Sequence, residues 1–367
     1  LGVVPCSARK PSGGTDVGQK KVVVLPGDDE APQTVFAAME VMRALEVDID
    51  FNEFPTGESW VRGETEKTVR AAIDASDSTL FGSTSGKTGG IGYLRWGKKT
   101  FANVRPCRYM KGFKSPLANP DGIDFIIVRE NLEDLYLGLE GPLSTLAPLH
   151  LNSRILRAEL DTSERGIYAI KVITERNTRN IAHFACQLAT RRKSEGHPGK
   201  VTCSSKYNML RESDGFFRQI VEEVVAGYPD LKYEEFIIDD FARRVVQSSH
   251  SLDVVVMPNL YGDIMSDAAA GTIGGLGVAP SGCFGDGYAY FESVHGTAPD
   301  IKGQGIINPT ATMLSAVMML DYLGMRDKSR RFEEAIRKVY AAGKTLTVDQ
   351  GGKAKTADFT AAVLANL

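Results

Sequence analysis

Short apolar runs, set between longer stretches whose apolar residues recur every three or four positions, give this chain its rhythm. Lys21–Pro26 (KVVVLP) reads as a buried strand entering a polar loop, Gly27–Pro32, and a helical spacing follows to about Leu45. Similar runs predict strands at Asp124–Val128, Tyr168–Ile173, Lys200–Cys203, Phe236–Ile238 and Val254–Met257. Helical spacing covers Asn177–Arg192, Met209–Val225, Tyr261–Ala270, Pro309–Leu323 and Arg331–Ala342. Such alternation predicts an α/β protein with a largely parallel core sheet, because a parallel strand is reached through a crossover that is usually a helix. Gly141–Asn152 (GPLSTLAPLHLN) is apolar and lacks Asp, Glu, Lys and Arg, but has no period. It reads either as a surface loop or as a segment that covers its leucines against a second subunit.

Composition narrows the classes. The 367 residues are 43% apolar, enough for two domains or one large one. A net charge of −3 gives no bulk attraction to nucleic acid or anionic lipid, so no nucleic-acid or membrane partner is expected. No apolar run approaches the ~18 residues that span a bilayer. The five cysteines (Cys6, Cys107, Cys186, Cys203, Cys283) are odd in number and form no C-x-x-C pair, which argues against a disulfide framework or zinc knuckle. A soluble intracellular protein is expected, with cytoplasm and mitochondrial matrix both compatible. Residues 1–20 are basic, Gly- and Ser-containing and read as a flexible tail or targeting remnant.

Four features carry chemistry. Gly82–Thr88 (GSTSGKT) ends like a phosphate-binding loop but is one residue too short between its first glycine and the Gly-Lys pair. No G-x-G-x-x-G follows the first strand, so an ordinary Rossmann site is not supported. Arg95, Arg105 and Arg129 form a set whose planar forks suit carboxylates, and Arg129 ends a predicted strand, where α/β folds place ligands. Asp263 and Asp267 lie four apart after the run DVVVM, and Asp239 ends the run FIID. A helix cap would explain one of these acids, not three. Several carboxylates at strand ends call for a cation, and hard oxygens suit Mg²⁺ or Mn²⁺. Finally, GTIGGLGVAPS (271–281) and HGTAPDIKGQGIINPTA (295–311) are dense enough in glycine to let backbone approach a ligand.

Taken with RENLEDLY (129–136), KYN (206–208) and NLYGDIMSD (259–267), these segments occur in an order that resembles the isocitrate/isopropylmalate/homoisocitrate dehydrogenases, over roughly residues 20–367. The resemblance implies a two-domain isopropylmalate-dehydrogenase-like fold with a parallel or mixed sheet. Residues 21–105 and 274–367 would form a large cofactor-binding domain. Residues 106–273 would form a central domain carrying the dimer interface and an arm near 141–164. It implies NAD- and Mg²⁺- or Mn²⁺-dependent oxidative decarboxylation of a 3-substituted malate. Arg95, Arg105 and Arg129 would bind the substrate's carboxylates, with Ile91 beside its substituent. Tyr136 would act as acid and Lys206 as base. Asp239, Asp263 and Asp267 would bind metal. Asn208 and Gly275 would border the cofactor, with His295, Asp300 and Asn308 around its adenosine. Lys206 and Asp239 would come from the partner subunit, making a homodimer or higher even oligomer the active unit.

The same resemblance speaks to specificity. Asp300 followed by Ile301 matches NAD-using members, since an acid that accepts from ribose hydroxyls repels a 2′-phosphate. Isocitrate enzymes carry a Ser and an Asn where this chain has Gly89 and Ile91, and homoisocitrate enzymes often carry an Arg at the place of Gly92. The glycines are therefore expected to leave room for a larger C3 group. Homoisocitrate ranks first, then 3-isopropylmalate, then isocitrate or tartrate. The first loop departs from the family's G-D-G-I-G-P-E and reads Gly27-Asp28-Asp29-Glu30-Ala31-Pro32-Gln33. The competing reading is a non-catalytic regulatory subunit of a heteromeric NAD-isocitrate dehydrogenase.

Overall fold

The computed structural model describes residues 18–367. Cys6 and the expected tail up to residue 17 lie outside them. The chain opens with β1 (Lys20–Leu25), α1 (Ala31–Ala44), β2 (Ile49–Glu53), α2 (Glu64–Asp74), β3 (Ser78–Phe81), β4 (Ala102–Arg108) and β5 (Asp124–Glu130). Four short strands follow: β6 (Glu140–Pro142), β7 (Asn152–Ser153), β8 (Ala158–Glu159) and β9 (Ile167–Ala169). Then come α3 (Glu175–Ser194), β10 (Lys200–Ser205), α4 (Ser213–Ala226), β11 (Lys232–Ile237), α5 (Ile238–Gln247), β12 (Val254–Met257) and α6 (Asn259–Ile273). The last part holds β13 (Pro280–Phe284), β14 (Ala289–Ser293), α7 (Thr310–Tyr322), α8 (Arg326–Ala342) and α9 (Thr356–Leu364).

One ten-stranded sheet runs in the order β11-β10-β12-β5-β4-β13-β14-β3-β1-β2. Its two ends are parallel, and the ladders β5–β4, β4–β13 and β13–β14 between them are antiparallel. The sheet is mixed because two strand pairs are joined without a helix. β4 reaches β5 through residues 109–123, and β13 reaches β14 through a turn closed by the Gly285 N–H on the Tyr288 carbonyl, 2.9 Å away. The fold class is α/β and not an ordinary Rossmann arrangement.

Five of the sheet's strands left little trace in the apolar pattern. β13 (PSGCF) contains Gly282, where an added Cβ would lie 2.9–3.0 Å from Phe291, Met318 and Phe284, so its absence of side chain is a packing requirement. β4 (ANVRPCR) carries two arginines and a proline. Both depend on neighbours, not on their own hydrophobicity. Conversely, the strand expected at Tyr168–Ile173 is only Ile167–Ala169, paired with Glu140–Pro142 outside the main sheet. The helix expected from Met209 begins at Ser213, because residues 206–212 turn. Among the described residues no helix is long and apolar enough to cross a membrane. Cys107, Cys186, Cys203 and Cys283 are buried free thiols, and burial pushes Cys107, Cys186 and Cys283 up to about 12.

Candidate active site

The centre of the sheet sets the site. β4 and β5 pair so that Asn103 faces Arg129, and β12 places Met257 on the other side of Arg129. The chain leaves β12 through Pro258 and enters α6 directly. Pro258 caps α6 with no side-chain hydrogen bond, so Asp263 is a second-turn residue and not a cap. Asn259, Asp263, Ser266 and Asp267 fall at spacings of four, seven and eight, which puts them on one face. That face meets the arginines of β4 and β5.

Arg129 is 1% exposed and donates from Nε to Asn259 Oδ1 at 2.9 Å and from Nη1 to Asp263. Arg105 donates to Ser266 Oγ at 2.6 Å and to Asp267 Oδ1 at 2.9 Å, and lies 3.3 Å from Asp263 Oδ1. The Tyr136 hydroxyl donates to the other oxygen of Asp263, and the Arg129 guanidinium sits 4.9 Å from the Tyr136 ring centre. Asp263 thus gathers Arg105, Arg129 and Tyr136. Close approach depends on Gly262, where a Cβ would fall 2.6 Å from the Arg129 Cβ. Arg95 comes from a wide helical turn at Tyr93–Gly97, stacks on the Trp96 ring at 5.4 Å, and lies close enough to act electrostatically on Arg129 and Tyr136.

The ionisation states follow from this crowding. Burial and the Asp263 carboxylate both raise the Tyr136 phenol, which keeps its proton at neutral pH. Burial, opposed by Arg105, raises Asp267, and the neighbouring Asp263 charge adds to the rise. A further acid joins the group. Glu292, on β14, is raised by burial against the pull of Arg95, Arg105 and Arg129. Sequence reasoning missed it. Its only signal was a single carboxylate in an otherwise apolar strand, AYFES. Asn259 and Ser266 were missed as partners although both lie inside the quoted NLYGDIMSD motif.

The other expected residues lie elsewhere. Lys206 pairs with Asp239 at the first turn of α5, and Asn208 is exposed beside them. Within one chain Asp239 does not join Asp263 and Asp267. Among the described residues, no group of three His, Cys, Asp or Glu side chains is placed to hold a metal ion. A second network, not anticipated, underlies Lys206. Lys171 lies 2.5 Å from Asp214 Oδ1, 3.6 Å from Asp134 Oδ1 and 4.4 Å from the Tyr261 ring centre. Asp214 accepts from the Lys206 N–H at 2.8 Å, and Asp134 accepts from the Leu260 N–H at 3.0 Å.

Ile91 packs against the cluster of Val23, Leu25, Val69 and Leu94. The room expected at Gly89 is taken by Trp60, whose ring an added Cβ would meet at 2.8 Å. A Cβ on Gly92 would touch the Trp96 ring at 3.9 Å. Gly89 therefore accommodates this chain's own indole, whereas a Cβ at 92 would make only an ordinary contact.

Gly275, at φ 99°, faces open space after α6. His295 donates from Nδ1 to the Gly296 carbonyl at 2.8 Å, because a carbonyl can only accept. Its Nε2 is left as a buried acceptor with no hydrogen-bond partner, and burial lowers the ring's pKa. Asp300 is exposed on a 3₁₀ turn, Pro299–Ile301. Asn308 is 4% exposed and already engaged. It donates to Asp349 at 2.9 Å and to Tyr340 at 3.3 Å, and accepts from the Thr310 N–H at 3.0 Å.

Gly82–Thr88 resolves as an internal anion nest. The Asp28 carboxylate accepts from the Thr84 hydroxyl at 2.7 Å and the Thr88 hydroxyl at 2.5 Å. It also accepts from the N–H groups of Ser85 (2.8 Å), Lys87 (3.3 Å) and Thr88 (3.3 Å). The loop, read from the sequence as one residue too short to bind a phosphate, does cradle an anion, and the anion is its own.

Residues 21–363 match the family model described as isocitrate/isopropylmalate dehydrogenase. Among curated relatives, the 3-isopropylmalate/3-methylmalate dehydrogenase of Methanocaldococcus jannaschii is 42% identical over 342 residues, covering 92% of this chain and 95% of its own. The mitochondrial isocitrate dehydrogenase [NAD] subunit alpha of Macaca fascicularis is 38% identical over 356 residues, covering 94% of each. The crystal structure of isocitrate dehydrogenase from Methylococcus capsulatus superimposes with a TM-score of 0.81 at 31% identity, covering 95% of this chain and 99% of that one. With the arginine–aspartate centre lying across the seam of a shared sheet, these matches make the chain a member of the isocitrate/isopropylmalate dehydrogenase family of decarboxylating dehydrogenases.

Proposed function

We propose that the chain oxidises the C2 hydroxyl of a 3-substituted malate with NAD⁺ and releases the β-carboxylate as CO₂, in the presence of Mg²⁺ or Mn²⁺. The observation that carries this reading is the meeting of Arg105, Arg129 and Tyr136 on Asp263, with Asp267 and Arg95 alongside. Burial disfavours the charges of Asp267 and Glu292, so the three guanidinium groups suit a polycarboxylate. In the free chain Asp263 and Asp267 occupy the arginine forks that substrate carboxylates would take.

Tyr136 holds its proton and is the donor to the carbon left by CO₂. Lys206, oriented by Asp239, is the base at the C2 hydroxyl. Because Lys206 and Asp239 pair apart from the arginine centre, they serve the site of a second copy. Asp263 and Asp267, with Asp239 of that copy, would supply hard oxygen donors for Mg²⁺ or Mn²⁺, and the metal would supply Lewis acidity there. The cofactor lies along Gly275, His295 and Asp300. His295 borders the adenosine side, and the exposed Asp300 fits ribose hydroxyls while opposing a 2′-phosphate. Asn208 borders the cofactor from the second copy, and Asn308 shapes the adenosine side from beneath. Residues 21–105 with 274–367 are the cofactor-binding domain, and residues 106–273 the central domain.

A homodimer follows from the same arrangement. Leu149 (61% exposed), Ile155 (73%) and Leu156 (72%), with Ile167 (74%) on the adjoining β9, give the arm an uncovered apolar face, which a second copy buries. The test is turnover by the purified chain with Mg²⁺ and NAD⁺ or NADP⁺ on homoisocitrate, 3-isopropylmalate, isocitrate and tartrate, read as reduced cofactor and CO₂. NADH formation coupled one-to-one to CO₂ on at least one acid is expected. A folded dimer that turns over none of them overturns the reading and favours a regulatory subunit.

A further inference from the structure

The acidic departure in the first loop, Asp29-Glu30, sits against the loop that follows β14. Glu30 is 2% exposed and holds that loop at two places. Its N–H donates to the Thr297 carbonyl at 3.1 Å, and its Oε1 accepts from the Gly303 N–H at 2.5 Å. One residue therefore ties both ends of residues 297–303, the stretch that lifts Asp300 into solvent. Glu30 precedes α1 but makes no side-chain cap there, so its carboxylate is spent on the loop instead. Asp29 adds a second tie. Its backbone is left-handed (φ 52°), which turns its carboxylate toward the Thr297 hydroxyl and Lys302 Nζ, 3.3 Å away. The Thr297 hydrogen bond, helped by Lys302, lowers the Asp29 carboxyl against the opposing effect of burial.

Between these ties the loop is one 3₁₀ turn, with the Ile301 N–H on the Ala298 carbonyl at 3.3 Å and the Lys302 N–H on the Pro299 carbonyl at 3.2 Å. It passes through left-handed backbone at Ala298 (φ 53°) and Gly303 (φ 78°), and Pro299, Asp300 and Lys302 face solvent. Left untied, such a segment samples many conformations, and a ligand must bear the cost of ordering it. In the family pattern G-D-G-I-G-P-E, the places of Asp29 and Glu30 hold Gly and Ile. Neither side chain can accept from the Gly303 N–H or pair with Lys302.

We propose that Asp29 and Glu30 form an acidic clasp that holds residues 297–303 in the adenosine-receiving conformation before any cofactor arrives. They are positioning residues, and the proposal rests on the reading of this loop as the adenosine site. The clasp makes cofactor affinity, and not turnover, the property it controls.

The test uses the full chain. Amide exchange is measured without cofactor, NAD⁺ binding by calorimetry, and kcat and KM with the best acid. Glu30→Ile and Asp29→Gly restore the family residues, and glycine tolerates φ 52° at position 29. Glu30→Gln retains an oxygen that can accept from Gly303. Lys302→Met alters a side chain that is 56% exposed and leaves the core intact. Glu30→Ile is expected to speed exchange of residues 297–303 about tenfold, with β1 and β14 unchanged, and to raise the NAD⁺ Kd and KM five- to twentyfold while kcat stays within twofold. Glu30→Gln should stay within twofold of the parent. Lys302→Met and Asp29→Gly should each give a two- to fivefold effect. If Glu30→Ile fails to fold, Lys302→Met decides. Unchanged loop exchange, or a fall in kcat at constant KM, overturns the clasp. A loosened loop with unchanged NAD⁺ affinity overturns its purpose. A loosened loop in a protein whose parent binds no NAD⁺ upholds the clasp and removes the cofactor reading beneath it.

Discussion

At the scale of single residues, Gly262 and Asp28 set what the site can tolerate. Alanine at 262 would gain up to ~1 kcal/mol of helix propensity. Its Cβ would also meet the Arg129 side chain at 2.6–2.7 Å, and overpacking of that kind costs ~1–3 kcal/mol. The clash wins, because Arg129 is pinned at once by Asn259 and Asp263. Gly262→Ala should lose about 1 kcal/mol in urea unfolding and at least tenfold in kcat/KM. Unchanged stability would show that Arg129 has room to move. Asp28 carries a pH prediction. Burial disfavours its ionised form, but the hydroxyls of Thr88 and Thr84 and the N–H groups of Ser85 and Thr88 outweigh it and hold the carboxyl at about 2. A carboxyl lowered on folding stabilises the fold above its unfolded pKa of ~3.9, and that contribution fades as pH falls toward 2. A shift from 3.8 to about 2 corresponds to ~2 kcal/mol. Asp28→Asn turns amide protons toward donors already crowded there, so it should destabilise by ~1–3 kcal/mol at pH 7 and flatten the slope of stability between pH 4 and 2. A variant with the parent's acid slope would contradict the nest.

Among elements, α6 and the turns beside it matter most. α6 delivers Asn259, Asp263, Ser266 and Asp267 on one face because it starts directly at the end of β12. Lys171 ties this start to the Lys206 turn through Asp134 and Asp214, both fully buried. Removing its charge leaves two buried carboxylates facing each other's field, and breaking a buried pair typically costs ~3–5 kcal/mol. Lys171→Met should therefore lower the free energy of unfolding, measured in urea, by an amount in that range, and Lys171→Arg should recover part of it. Since the network supports both the Tyr136 turn and the Lys206 backbone, turnover should fall in the methionine variant even where it remains folded. A methionine variant as stable as the parent would mean the two acids are held by their backbone donors alone.

For the whole molecule, the proposed homodimer gives the apolar arm and the separation of Lys206–Asp239 from the arginine centre one explanation: a second copy completes both. Ile155→Asp with Leu156→Asp places charge on side chains that are 73% and 72% exposed, so folding of the isolated chain should be unaffected. Sedimentation should then report a monomer, and activity should fall at least a hundredfold at concentrations where the parent is dimeric. A fully active monomer would refute the shared site.

The sequence by itself determined which chemistry was available. The spacing of Asp263 and Asp267, the strand-end position of Arg129 and the glycine-rich runs after α6 are local patterns, so the α/β class, several strands and helices, and the candidate acids and arginines were legible, but not that they pair with one another. The tertiary structure decided what each group meets. β4, β13 and β14 owe their places to pairing and to neighbours such as Phe291 on Gly282, so the antiparallel seam left no periodic mark. Glu292, Lys171 and Asp214 acquire significance only where distant segments converge. The space at Gly89 was filled by Trp60, twenty-nine residues away in sequence, and the phosphate-like loop by Asp28. Patterns of period two and 3.6 encode which side a residue faces, whereas burial, charge compensation and the filling of space are set by contacts across the chain that no local pattern contains.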